Sequence, residues 1–187
     1  MSSSRSSKFA IFTVILGLAT VENEAQAQAG EDEIFLTAGP EFAATPNFRS
    51  GNRGVGGSVA AFWGFHELWS VGGQLGYSRH FQLPTAEDGP SGNVFSAFVG
   101  PSFNLDVLAV VPFISVMPGL YVDDDLLGPG NAHFGVRGAL GFDYRPSRNF
   151  AVGADVAWHV VANVWEGFPG YSVVRIRLSY IWDLRAL

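Results

Sequence analysis

The chemistry open to this sequence rests on a few widely spaced polar side chains. Glu41, Asp143 and Asp155 are acids set among small or apolar residues, and Arg137, Arg175 and Arg177 are bases in similar surroundings. Three of the four histidines, His80, His133 and His159, stand in the same kind of context. Carboxylates and guanidiniums held away from water must pair with one another. Imidazoles brought together suit Zn, Cu or Ni. A hydroxyl nucleophile needs a base within hydrogen-bond reach. The histidines have no zinc-like spacing, and the chain has no cysteine for a thiolate site. The acidic run Asp123-Asp124-Asp125, with Glu87-Asp88, lacks the spaced pattern of a calcium loop and reads as solvated. No catalytic residue, metal or cofactor is therefore expected.

Composition narrows the classes further. Of 187 residues, 48% are hydrophobic, only 15% are charged, and 23 are glycine. That is too apolar for a disordered chain. A net charge of −6 with no basic cluster argues against nucleic-acid binding. Lys8 is the only lysine.

Residues 1–29 read as a cleaved secretory signal peptide. Arg5 and Lys8 precede an apolar run, Phe9 to Ala19, and two small-x-small exits follow at Ala25 to Ala29. The run is too short for a spanning helix, which needs about 20 residues. Residues 30–187 then form a single domain.

Strict alternation runs through that domain. Phe134, Val136, Leu140, Phe142 and Tyr144 share one face, opposite His133, Arg137 and Asp143. Val152, Val156, Trp158 and Val160 oppose Asp155 and His159, and Val174, Ile176, Leu178 and Tyr180 oppose Arg175 and Arg177. A period of two is that of a strand. The spacing predicts eight long strands, at about 33–43, 53–63, 69–82, 93–105, 110–122, 132–144, 150–162 and 171–183. Short connections (64–68, 106–109, 145–149) alternate with longer ones rich in turn and acidic residues (44–52, 83–92, 123–131, 163–170). The fold expected is all-β: an eight-stranded antiparallel up-and-down barrel.

The polar face of these strands is mostly Gly and Ser, which suits a narrow interior rather than a solvated surface. Aromatics gather towards strand ends: Trp63, Trp69, Phe103, Tyr144, Phe150, Tyr180 and Trp182 at the short-turn end, and Phe42, Phe81, Trp158 and Tyr171 at the other. Two such girdles mark bilayer interfaces, so the apolar face is placed outside and the barrel is read as transmembrane. Glu41, Arg137, Asp155, Arg175 and Arg177 then form structural ion pairs in the lumen. Folding the sixth and seventh strands about Ser147 sets Arg137 diagonal to Asp155 and His133 beside His159, with His80 in the same half.

Signal peptide, alternating strands, short turns and a last strand ending Ser179-Tyr180-Ile181-Trp182 resemble the small bacterial outer-membrane barrels, outer membrane protein A-like and opacity-type. Members of that group commonly end on Phe or Trp, which the assembly machinery reads; here Asp183–Leu187 follow Trp182. The resemblance implies a cell outer-membrane location in a Gram-negative envelope, contact with membrane lipid and lipopolysaccharide, insertion by the barrel assembly machinery, and a monomer. A plugged lumen with a structural or surface role is the function expected. The alternatives are a narrow pore for small or hydrophobic solutes, a lipid-modifying barrel enzyme, or a soluble lipocalin-like carrier. The enzyme reading is disfavoured because Trp158-His159-Val160-Val161 has no serine two residues after the histidine, as the lipid A deacylase pattern would require.

Overall fold

A computed structural model describes residues 32–44, 53–81, 91–105, 109–124, 127, 131–162 and 170–184. The expected signal peptide, and Glu87, Asp88 and Asp125 of the acidic loops, lie outside these residues. Eight strands follow one another: β1 (Glu33–Ala44), β2 (Arg53–His66), β3 (Trp69–Phe81), β4 (Gly92–Asn104), β5 (Val110–Asp123), β6 (Ala132–Ser147), β7 (Phe150–Val161) and β8 (Gly170–Asp183). Each is within a few residues of the span the alternation predicts.

Every strand pairs antiparallel with its sequence neighbours, and β8 returns to pair with β1, so the barrel is closed. Closure removes the edges that would leave backbone N–H and C=O groups unpaired in lipid. The outer face is apolar along all eight strands. Leu36, Val59, Leu75, Val99, Ile114, Leu120, Leu140, Val174, Ile176 and Leu178 all point outward. Trp63, Trp69, Trp158 and Trp182 lie outside near the two ends. Gln74, Arg137, Asp155, His159 and Arg175 are buried inside. This polarity is inverted relative to a soluble protein, and only lipid can cover such an exterior.

Two stretches of wall lack ladder pairs. Between β4 and β5 the register runs from Phe98↔Gly119 to Ser102↔Ser115, with no pairs for residues 99–101 against 116–118. Between β1 and β8 it runs from Ala38↔Leu178 to Glu41↔Arg175, skipping Gly39 and Pro40. The first gap holds Pro101 and Pro118, the second Pro40, and proline has no amide hydrogen to give a ladder. The strands do not part there. A Cβ added to Gly39 would run into the carbonyl oxygen of Ile176, and one added to Gly100 into that of Val116.

Candidate functional site: a filled lumen

The lumen is built in tiers because inward residues recur at every second position and the hairpin registers set their heights. The middle tier is ionic. β8 sets Arg175 opposite Asp155 on one side and Glu41 on the other. Asp155 Oδ2 accepts from Arg175 Nε at 2.8 Å and lies 2.6 Å from Nη2. Its Oδ1 accepts from Arg137 Nη2 at 3.1 Å. One carboxylate thus joins two guanidiniums, and all three residues are only 2% exposed. The second prong of Arg175, Nη1, crosses the lumen, donating to Ser58 Oγ at 2.9 Å and Gln74 Oε1 at 3.1 Å. Glu41 completes the tier, accepting from Ser58 Oγ at 2.5 Å and Gln74 Nε2 at 3.4 Å, with Arg175 Nη1 at 3.9 Å.

Arg177 extends the tier towards the short turns. Its Nε lies 3.1 Å from Asp143 Oδ1, its Nη1 3.8 Å from Asp155, and its guanidinium 4.4 Å from the Phe113 ring centre. Arginine suits such a place because it is always charged, forked and stacks on aromatic faces. Nearer the same end, Arg145 lies 3.8 Å from Glu33 and sits over Phe35. Asn104 links Ser102 and Ser70.

The tier on the loop side is aromatic. His159 stacks on Tyr171 with ring centres 4.4 Å apart and planes at 12°. Tyr121 OH is 3.1 Å from His159 Nδ1, and Phe98 meets both rings edge-on. His80 packs against the other side of this group, its ring 5.5 Å from Tyr171, and its Nε2 is 3.0 Å from Ser78 Oγ. Met117, Val94, Val161 and Val173 fill the space around these rings.

Two expectations are corrected. His133 and His159 are not neighbours: β6 pairs with β7 as Arg137↔His159, two residues from the register that folding about Ser147 implies. The hairpin turns at Arg148-Asn149, with Ser147 opposite Phe150, rather than about Ser147, and a bulge between Tyr144 and Ser147 then takes the pairing back by one residue. His133 instead faces Tyr121 and sits 3.2 Å from Asp123, whose other oxygen accepts from the Leu127 amide. The three histidines therefore form no common cluster, and no group of three potential metal ligands occurs among the described residues. Tyr171, read from sequence as a girdle residue, is 4% exposed and points into the lumen. Parity already placed it there, on the same face of β8 as Arg175.

Sequence reasoning missed the Ser78–His80 contact, although both residues stand two apart on the inward face of β3. A serine hydroxyl beside an imidazole is the beginning of a nucleophile–base pair. Here the pair is packed under Tyr171, with His80 only 1% exposed, and among the described residues no group hydrogen-bonds its Nδ1 to orient the ring.

Fold and polarity together define the class: an eight-stranded transmembrane β-barrel of the outer-membrane type. No protein-family model and no curated protein matches the sequence. Among solved structures, the chain is similar to the outer membrane protein OprG of Pseudomonas aeruginosa, with 10% identity and a TM-score of 0.59 over 81% of this chain and 96% of that one. It is also similar to Ail, the attachment invasion locus protein of Yersinia pestis, with 14% identity and a TM-score of 0.56 over 82% and 100%. Neisserial surface protein A follows, with 13% identity and a TM-score of 0.55 over 81% and 96%. These structural neighbours are outer-membrane proteins with the same eight-stranded barrel, and at such identities the likeness is one of fold.

Proposed function

We propose that this chain is a structural barrel of the Gram-negative outer membrane, without enzymatic activity and closed to ions. The observation that carries this reading is the ionic tier. Arg137, Asp155, Arg175, Glu41, Ser58 and Gln74 come from six different strands and meet across the lumen. The aromatic tier of Tyr121, His159 and Tyr171 stands above it. Eight strands leave a bore that side chains can fill. A network with this many bonds per side chain favours one fixed arrangement over a gate that swings freely.

Lipid and lipopolysaccharide are the partners this reading assigns to the outer face, and the assembly machinery the partner during insertion. A monomer suffices, since closure leaves no strand edge to pair with a second copy. The enzymatic reading is disfavoured by the burial of Ser78 and His80 beneath Tyr171.

The test combines two measurements on the full chain in bacteria. Fractionation with heat-modifiable gel mobility places it in the outer membrane as a folded barrel, and planar-bilayer recording gives no steady current. A protein found soluble in the periplasm, or a stable porin-sized conductance, overturns the proposal.

A further inference from the structure

We propose that the lumen holds a binding site for one small monovalent anion, chloride being the representative case, on the short-turn side of the ionic tier. A cavity of about 20 Å³ lies there, room for one water-sized occupant. Its wall carries four guanidinium-bearing residues, Arg137, Arg145, Arg175 and Arg177, against one carboxylate, Asp143. The carboxylates that pair with these arginines, Asp155 with Arg137 and Arg175 and Glu33 with Arg145, are not part of this wall. The pocket is therefore locally positive inside a network that is balanced as a whole.

The donors around it are not fully used. Arg137 is 2% exposed, and among the described residues its Nε has no hydrogen-bond partner. Arg177 Nε lies 3.1 Å from Asp143 Oδ1, yet not in hydrogen-bonding geometry. Ser70, also on the wall, accepts from Asn104 Nδ2 at 3.1 Å, which leaves its hydroxyl proton to give. Guanidiniums only donate. A buried donor without an acceptor is costly. A species that accepts several N–H and O–H bonds removes that cost, and a negative charge adds attraction to the four guanidinium-bearing residues that line the space. Water offers acceptance without the charge. Phosphate, sulfate and carboxylates are too large for the space. A single-atom anion fits size, charge and donor set together.

The test uses the full barrel refolded in zwitterionic detergent, with chloride and bromide as probes against gluconate at constant ionic strength. Chloride-35 line broadening should saturate with protein-bound chloride and be displaced by bromide. Bromide-soaked crystals should show one anomalous peak among Arg137, Arg177 and Ser70. Arg137→Gln should abolish the broadening. Because that variant could fail to fold, Asp143→Asn supplies a test of opposite sign: removing this carboxylate from the wall should tighten anion binding by about tenfold or more. Broadening no greater than that of empty micelles, an anomalous map with no peak in the lumen, or an Asp143→Asn barrel that binds no more tightly would each overturn the site.

Discussion

Arg175 on β8 and Gln74 on β3 are 101 positions apart in sequence, yet the Nη1 of one donates to the Oε1 of the other at 3.1 Å. Three steps around the wall separate their strands, so this bond runs through the lumen rather than along the sheet. Together with Ser58 and Glu41 it ties the early strands to the late ones by side chains alone.

Removing Asp155 should therefore be severe. Asp155→Asn leaves Arg137 and Arg175 without their shared carboxylate, and breaking a buried pair in this way costs about 3–5 kcal/mol. Urea unfolding of the refolded barrel in vesicles should show a lowered midpoint. Arg175→Lys should fall short of wild type as well, since a point charge cannot replace the fork that reaches Asp155, Ser58 and Gln74.

Two glycines should behave in opposite ways. A Cβ at Gly39 meets the Ile176 carbonyl at the β1–β8 closure, whereas one at Gly138 meets nothing within 4 Å. Gly39→Ala should destabilise by about 1–3 kcal/mol through overpacking, seen as loss of the heat-modifiable form. Gly138→Val, on the lipid face, should leave that form intact.

Opening the lumen should require breaching both tiers. Tyr171→Ala removes the ring against which His159 stacks, but the ionic tier beneath still spans the bore. No conductance is expected from Tyr171→Ala, and a current is expected only when Arg175→Ala is added. Single-channel recording distinguishes the two, and a current from Tyr171→Ala alone would contradict a two-tier plug.

The outward tryptophans should report lipid. Trp63, Trp69, Trp158 and Trp182 are all half exposed on the outer face. Their fluorescence should be quenched by brominated acyl chains, more by bromine near the headgroups than at the bilayer centre. Little quenching would reverse the face assignment.

How much of this was legible in the sequence differs from tier to tier. Side-chain parity needs only a period of two, so strand limits and the inward placement of Arg137, Asp155, Arg175 and Arg177 could be read directly. Heights across a hairpin depend on where the turn sits, and the β6–β7 turn sits at Arg148-Asn149 rather than about Ser147, which sets Arg137, not His133, beside His159. The residue types of Arg145–Asn149 do not by themselves fix where in that stretch the chain reverses. Tyr171 was misplaced because an aromatic near a strand end was weighed above its own parity. The Ser78–His80 contact was available from the same parity, two residues apart on one inward face.

The two interrupted ladders have a consequence for the chain as a whole. One lies between β4 and β5 and the other between β1 and β8, so they separate β1–β4 from β5–β8, four strands on each side. Every other seam is paired almost throughout. The barrel is thus divided into two sheets of equal strand number, each internally well laddered and joined to its partner through broken seams and the arginine bonds of the lumen. A chain cut between Leu105 and Ala109 should yield fragments that find each other again, and the fragment carrying Arg175 should fail to recapture one lacking Glu41, Ser58 and Gln74.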